Sequence, residues 1–191
     1  MYKQLLGAIA IGLTIIAYYP YIRSIIQGKT KPHVFSWVIW GTSTCIVFLA
    51  QLADKGGAGA WVIGFSGIIS IYVAFLAYIK RSDSSITRID WLFFIVAMTA
   101  LPIWYLTSDP LWAVVILTTV DVLGFVPTFR RSYILPFEEQ LMFYVVMALR
   151  NLVVVSALEN YSLTTVLFPA TIAIACLIFS LMVVCRRRVL T

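Results

Sequence analysis

The chain is predicted to be an all-α membrane protein: seven transmembrane helices forming two parallel three-helix bundles joined by a linker helix. Three observations carry that expectation. Hydrophobic residues fill 62% of the 191 positions and charged residues 12%, with a mean hydropathy of +0.98, so lipid must replace water around much of the surface. Seven mostly apolar stretches, each near the ~20 residues that cross ~30 Å of hydrocarbon, are separated by short polar breaks. A proline-centred phrase occurs twice, as Tyr19-Pro20-Tyr21-Ile22-Arg23-Ser24 and as Val126-Pro127-Thr128-Phe129-Arg130-Arg131-Ser132, with 107 positions between the two prolines.

The stretches are residues 4–22, 34–52, 60–79, 89–107, 111–129, 138–157 and 162–185. They are too long and too evenly apolar for the alternating strands of a barrel, so each is expected to be a helix. The first follows Met1-Tyr2-Lys3 as a signal peptide would. It ends, however, in Tyr18-Tyr19-Pro20-Tyr21, bulky where a peptidase wants small side chains, and is expected to be retained. Lys55-Gly56-Gly57-Ala58-Gly59 is a turn between the second and third spans. In Thr107-Ser108-Asp109-Pro110 a helix restarts, with Asp109 as cap and Pro110 in the first helical position.

The 107-residue offset lays spans 1, 2 and 3 on spans 5, 6 and 7 and leaves span 4 unmatched. One linker crossing makes both triplets run the same way, related by an axis along the membrane normal. The expected units are residues 1–83, 84–108 and 109–191.

The cations set the orientation. On the side of the N-terminus the loops hold Lys3 and Lys55. The other side holds Arg23, Lys29, Lys31, Lys80, Arg81, Arg88, Arg130, Arg131, Arg186, Arg187 and Arg188. The positive-inside rule places the N-terminus outside and the C-terminus in the cytoplasm, most simply of a prokaryotic cytoplasmic membrane. The net charge of +6 then reflects topology and calls for no nucleic acid partner. Trp61, Trp104 and Trp112 fall near the outer boundary and Trp91 near the inner one. Cys45, Cys176 and Cys185 are an odd number within spans, and His33 is the single histidine, so neither a disulfide frame nor a metal site is expected. No cofactor motif appears, and a homo-oligomer is compatible with the chain.

An ionisable group at the centre of a membrane helix costs roughly 2.5–3.5 kcal/mol on insertion scales, so each needs a reason. Asp121 in span 5 and Arg150 in span 6 lie at similar depths, within reach of a salt bridge. They are either a structural pair or part of a solute path, with Asp121 titrating and Arg150 tuning it or receiving a carboxylate. Thr118, Asp121, Phe125 and Thr128 form a partly polar stripe along span 5. Trp37, Trp40 and Thr44 share one face of span 2, and Tyr144, Met147 and Asn151 match them on span 6. An aromatic and amide lining of this kind suits a small polar solute, although aromatic residues at helical spacing also serve as core. Pro20 and Pro127, at matched places near the inner ends of spans 1 and 5, are candidate hinges or gates. Pro102 and Pro169 interrupt spans 4 and 7, with Gly64 close to the counterpart of Pro169. A retinal protein is excluded because the last lysine is Lys80, and no Ser/His/Asp set or phosphate loop supports an enzyme.

The chain resembles the PQ-loop superfamily of SWEET-like sugar transporters, cystinosin-type amino-acid exporters and the KDEL receptor. Pro20 and Pro127, each followed by a basic residue and a short loop, carry the resemblance, while Tyr21 and Thr128 stand where the family usually has Gln. It implies the three-one-three plan and alternating access. SWEET-like members place an Asn in the third and seventh spans, where this chain has Ser66, Ser70 and Thr171. Asp121 and Gly124 match the span-5 pattern that cystinosin-type members link to proton coupling. The expected function is transport of a small polar metabolite, amino-acid-like or a sugar, coupled to protons through Asp121. The alternative is a seven-helix receptor or scaffold that binds a peptide or lipid headgroup through the basic loops, Lys29-Thr30-Lys31 and Arg186-Arg187-Arg188.

Overall fold

The computed structural model describes residues 2–29, 34–80, 88–134, 136–137 and 140–190, with the side chains at 89, 90, 93, 126–128, 130 and 131 left outside the description. Thr30, Lys31, His33 and Arg81, and the side chains of Pro127, Thr128, Arg130 and Arg131, therefore fall outside it. The described residues form seven α-helices and no strand: α1 (Tyr2–Ile26), α2 (Val34–Ala53), α3 (Gly57–Ile79), α4 (Arg88–Thr107), α5 (Pro110–Ile134), α6 (Leu141–Ala157) and α7 (Leu163–Leu190). Four of them, α1, α2, α3 and α7, are long and apolar enough to cross a membrane; the apolar parts of α4, α5 and α6 are Phe94–Thr107, Pro110–Phe125 and Leu141–Ala157. Large apolar side chains face outward, among them Leu5, Ile16, Ile68, Phe75 and Leu181, as lipid contact requires.

The helices are longer than the apolar stretches at one end. α1, α5 and α7 continue past residues 22, 129 and 185 because their last turns are polar or basic yet still helical. Backbone continuity through Pro20, Pro102, residue 127 and Pro169 shows that none of the four ends its helix. α1 closes in a Schellman motif, with Gly28 at φ +72° and bonds from the Gly28 and Lys29 amides to Ile25 and Ser24. α2 ends the same way around Lys55 at φ +57°, its Gly56 amide reaching the Gln51 carbonyl at 2.8 Å. Asp109 caps α5 as expected, accepting from the Leu111 amide at 2.9 Å.

In the first triplet α3 lies between α1 and α2, and in the second α7 lies between α5 and α6. α4 rests on α5 and α2. The triplets meet through α1 on α6, α2 on α5, α3 on α6 and α2 on α7. Exchanging α1 with α5, α2 with α6 and α3 with α7 maps these contacts onto one another. Within the first triplet small residues allow a close approach: a Cβ on Gly64 would sit 2.8 Å from the Phe48 ring and one on Gly67 2.8 Å from Cys45 Sγ.

At one end the two triplets are sewn together by polar contacts between the α2–α3 and α6–α7 turns. The Glu159 amide donates to the Gly56 carbonyl at 3.2 Å, Asn160 Nδ2 donates to the Asp54 carbonyl at 2.9 Å, and the Ser162 hydroxyl donates to the Asp54 carboxylate. Lys3 Nζ donates to the Leu158 carbonyl and lies 4.8 Å from the Tyr161 ring centroid. Ser162 also caps α7 reciprocally with Thr165, whose hydroxyl takes the Ser162 amide while its own amide bonds Ser162 Oγ. At the opposite end Arg186 and Arg187 donate to the Tyr133 and Pro136 carbonyls, tying α7 to the end of α5.

Candidate functional site

Helices α1, α2, α5 and α6 surround the interface between the triplets, and aromatic side chains join all four in a closed circuit. Tyr18 on α1 meets Trp37 on α2 at 6.2 Å between centroids. Trp37 meets Trp40 at 5.6 Å, and Trp40 meets Phe125 on α5 at 6.5 Å. Phe125 meets Tyr144 on α6 at 6.4 Å, Tyr144 meets Phe143 at 5.4 Å, and Phe143 returns to Tyr18 at 5.5 Å. Phe125 and Tyr144 correspond to Tyr18 and Trp37 under the repeat offset, so the α1–α2 contact and the α5–α6 contact are counterparts. The circuit brings together Trp40 and Tyr144, both expected at the site.

Arg150 and Asp121 do not pair. Arg150 is 1% exposed, and its guanidinium serves three neutral acceptors: Nε donates to Thr14 Oγ1 at 3.1 Å, Nη1 to Asn151 Oδ1 at 2.9 Å and Nη2 to the Val62 carbonyl at 2.8 Å. These acceptors lie on α1, α6 and α3, so the side chain ties three helices across the triplet boundary. Asp121 is on α5, which packs on α7, α4 and α2, whereas the acceptors that hold Arg150 lie on α1, α6 and α3. Equal depth along two helices does not fix the direction in which each side chain points around its axis. Asn151 is occupied as well, since its Nδ2 donates to the Met147 carbonyl at 2.8 Å while its Oδ1 holds Arg150.

Asp121 is 5% exposed, and its Oδ1 makes no hydrogen bond. Thr118, one turn earlier on α5, is 5% exposed and its hydroxyl is likewise unpartnered. Ser43 on α2 is fully buried with an unpartnered Oγ, next to the buried Thr44. Orphaned buried polar atoms cost about 1–3 kcal/mol each, so several on facing helices mark a place where the packing is not optimised for stability alone. One turn beyond Asp121, Gly124 lies against Trp40: a Cβ there would be 2.8 Å from the indole Nε1. Gly124 thus lets the indole of α2 lie close on α5 beside the carboxylate.

Tyr18 is buried in the aromatic circuit, its hydroxyl sharing a 3.0 Å hydrogen bond with Ser70 on α3. Sequence reasoning missed Tyr18, Thr14, Ser43 and Gln51 as members of the polar interior. Thr14 and Ser43 are the residues that the 107-residue offset places on Asp121 and Arg150, a signal available in the sequence. Gln51 Nε2 donates to the Thr165 carbonyl on α7 at 2.9 Å. Pro169, four residues on, has no amide hydrogen to give that carbonyl, so a side chain from α2 takes its place. Pro20 lies within α1 two residues past Tyr18, adjacent to the aromatic circuit, and Pro127 occupies the matching place on α5.

Comparison with protein-family models, curated proteins and solved structures gives no match for this chain.

Proposed function

We propose that the chain is a membrane transporter that moves a small polar metabolite by alternating access between two three-helix bundles, with α4 as the linker. In this reading all seven helices span the bilayer, the N-terminus is outside and the C-terminus cytoplasmic. The observation that carries it is the buried carboxylate of Asp121, unpartnered at Oδ1, on a helix at the junction of two triplets whose contacts interchange under the repeat. A residue kept only for packing has no reason to hold a carboxyl group there.

The two ends of the junction differ in the kind of closure they have. Polar turn contacts around Asp54, Glu159 and Ser162 close one end, and the aromatic circuit closes the bundle beyond Asp121 toward the other. A solute held between them is occluded, and release on either side needs only one closure to open. Asp121 is the group through which protons couple to movement. Amino-acid-like solutes fit better than sugars because a buried carboxylate with a free acceptor favours a ligand that brings a cationic ammonium donor, which a sugar lacks.

Counterflow in proteoliposomes with a panel of metabolites tests the reading. Wild-type protein is expected to exchange labelled solute, and Asp121→Asn is expected to lose proton-coupled flux while remaining folded. Saturable binding with no exchange across the bilayer for any solute would instead make the protein a receptor or scaffold.

A further inference from the structure

The two junctions α1–α6 and α5–α2 are counterparts, yet only one is filled. In the first, the Arg150 guanidinium is received by Thr14, Asn151 and the Val62 carbonyl. The 107-residue offset converts these three acceptors into Asp121, Thr44 and the Pro169 carbonyl, and converts Arg150 itself into Ser43. Each replacement is again an acceptor, the first now a carboxylate, while the donor has been cut back to a hydroxymethyl group.

The second junction has the register this requires. Gly124 on α5 lies against Trp40 on α2. One turn back along α5 and one turn forward along its antiparallel neighbour brings Asp121 opposite Ser43. Both are more than nine-tenths buried, and neither Asp121 Oδ1 nor Ser43 Oγ has a hydrogen-bond partner. Thr118 adds a third unpartnered oxygen one turn from Asp121. Thr44 and Pro169 are buried on the two helices, α2 and α7, that close the junction. The acceptors are in place and the donor is missing.

We propose that Asp121, Ser43 and Thr44 form the seat of a small monocation carrying a guanidinium or primary ammonium group, bound where Arg150 places its own guanidinium in the other half. The protein thus carries a built-in likeness of its ligand. This deepens the transport reading by naming the solute class, but the seat requires only binding. Charge-assisted donors satisfy the orphaned oxygens together, which a neutral sugar or an anion does not do. Planar guanidinium fits a fork of three acceptors better than a compact ammonium.

The test is binding of methylguanidinium and ethylammonium to the purified full chain in detergent, by calorimetry and thermal shift, with tetramethylammonium, glucose and acetate as controls. Saturable stabilisation by methylguanidinium, weaker stabilisation by ethylammonium and none by the controls is expected. Asp121→Asn should weaken methylguanidinium binding about thirtyfold or more, as removal of one partner of a buried charge pair does. Ser43→Arg supplies a tethered guanidinium, and is expected to raise the unfolding temperature and abolish methylguanidinium binding. Should Asp121→Asn fail to fold, Ser43→Arg decides the matter alone. Methylguanidinium binding that survives Ser43→Arg, or no binding to the wild type at millimolar concentration, overturns the proposal. Flux of a neutral solute without cation binding defeats this seat and leaves transport standing, whereas cation binding without counterflow does the reverse.

Discussion

The Gln51–Thr165 hydrogen bond makes a thermodynamic prediction that isolates one proline. Pro169 cannot donate to the Thr165 carbonyl, and Gln51 Nε2 does so at 2.9 Å from a fully buried position on α2. In the wild type, Gln51→Leu strands that carbonyl at a cost of about 1–3 kcal/mol. In a Pro169→Ala background the Ala amide restores the helical bond, and the same substitution strands nothing. Gln51 Oε1 is itself unpartnered, so its removal is a gain, but an equal one in both backgrounds. The double-mutant cycle should therefore yield a coupling of about 1–3 kcal/mol. At about 2–4 °C per kcal/mol for a chain of this size, Gln51→Leu should lower the unfolding temperature by roughly 2–12 °C more in the wild type than in Pro169→Ala. Thermal unfolding of the four purified proteins in one detergent measures it. Losses that agree within about 0.5 kcal/mol between backgrounds would refute the assignment of Gln51 as the substitute donor.

Other substitutions probe the remaining contacts. Arg150→Ala removes three donors and the packing of α6 on α1 and α3, and should destabilise by about 3 kcal/mol or more in the same unfolding assay; a loss below about 1 kcal/mol would show that the guanidinium ties nothing together. Gly124→Val forces the Trp40 indole off α5, with an expected cost of about 1–3 kcal/mol and a faster counterflow as the aromatic circuit opens; unchanged stability would mean that the indole relocates freely. Asp54→Ala deletes the acceptor for the Ser162 hydroxyl in a half-exposed turn, so stability should fall by no more than about 1 kcal/mol while exchange quickens. Slower exchange in Asp54→Ala would contradict a latch.

Much of the helical layout was legible because long, evenly apolar runs separated by short polar breaks are a pattern that a sequence cannot hide. The starts of α2 and α5 at residues 34 and 110 follow directly from where polarity ends and from the Asp109-Pro110 cap. The helix extensions to Ile26, Ile134 and Leu190 were not legible, since hydropathy marks where a chain turns polar and not where its backbone hydrogen bonds stop. The same divide separates the site residues. Asp121 and Arg150 announced themselves as charges in apolar runs. Their failure to meet depended on which helices pack side by side, since α7 lies between α5 and α6, and one-dimensional depth does not encode that. Thr14 and Ser43, too ordinary to notice alone, acquire meaning only when the repeat offset is applied to contacts seen in three dimensions. Tyr18 and Phe143 sit in runs rich in aromatic residues, where nothing in the sequence distinguishes a circuit member from a residue facing lipid.

The aromatic circuit has no free end. A row of rings can be peeled apart one contact at a time, but the triplets part at this level only when three ring contacts separate together: Trp40–Phe125, Tyr18–Phe143 and Tyr21–Phe143. With each aromatic pair worth about 0.5–1.5 kcal/mol beyond its buried area, the threshold for opening is about 1.5–4.5 kcal/mol. An energy gap of that size leaves the parted state as a minority of molecules, about one in fourteen at the low end and about one in two thousand at the high end. The circuit therefore acts as a catch whose strength is shared among its contacts, shut in most molecules at any instant.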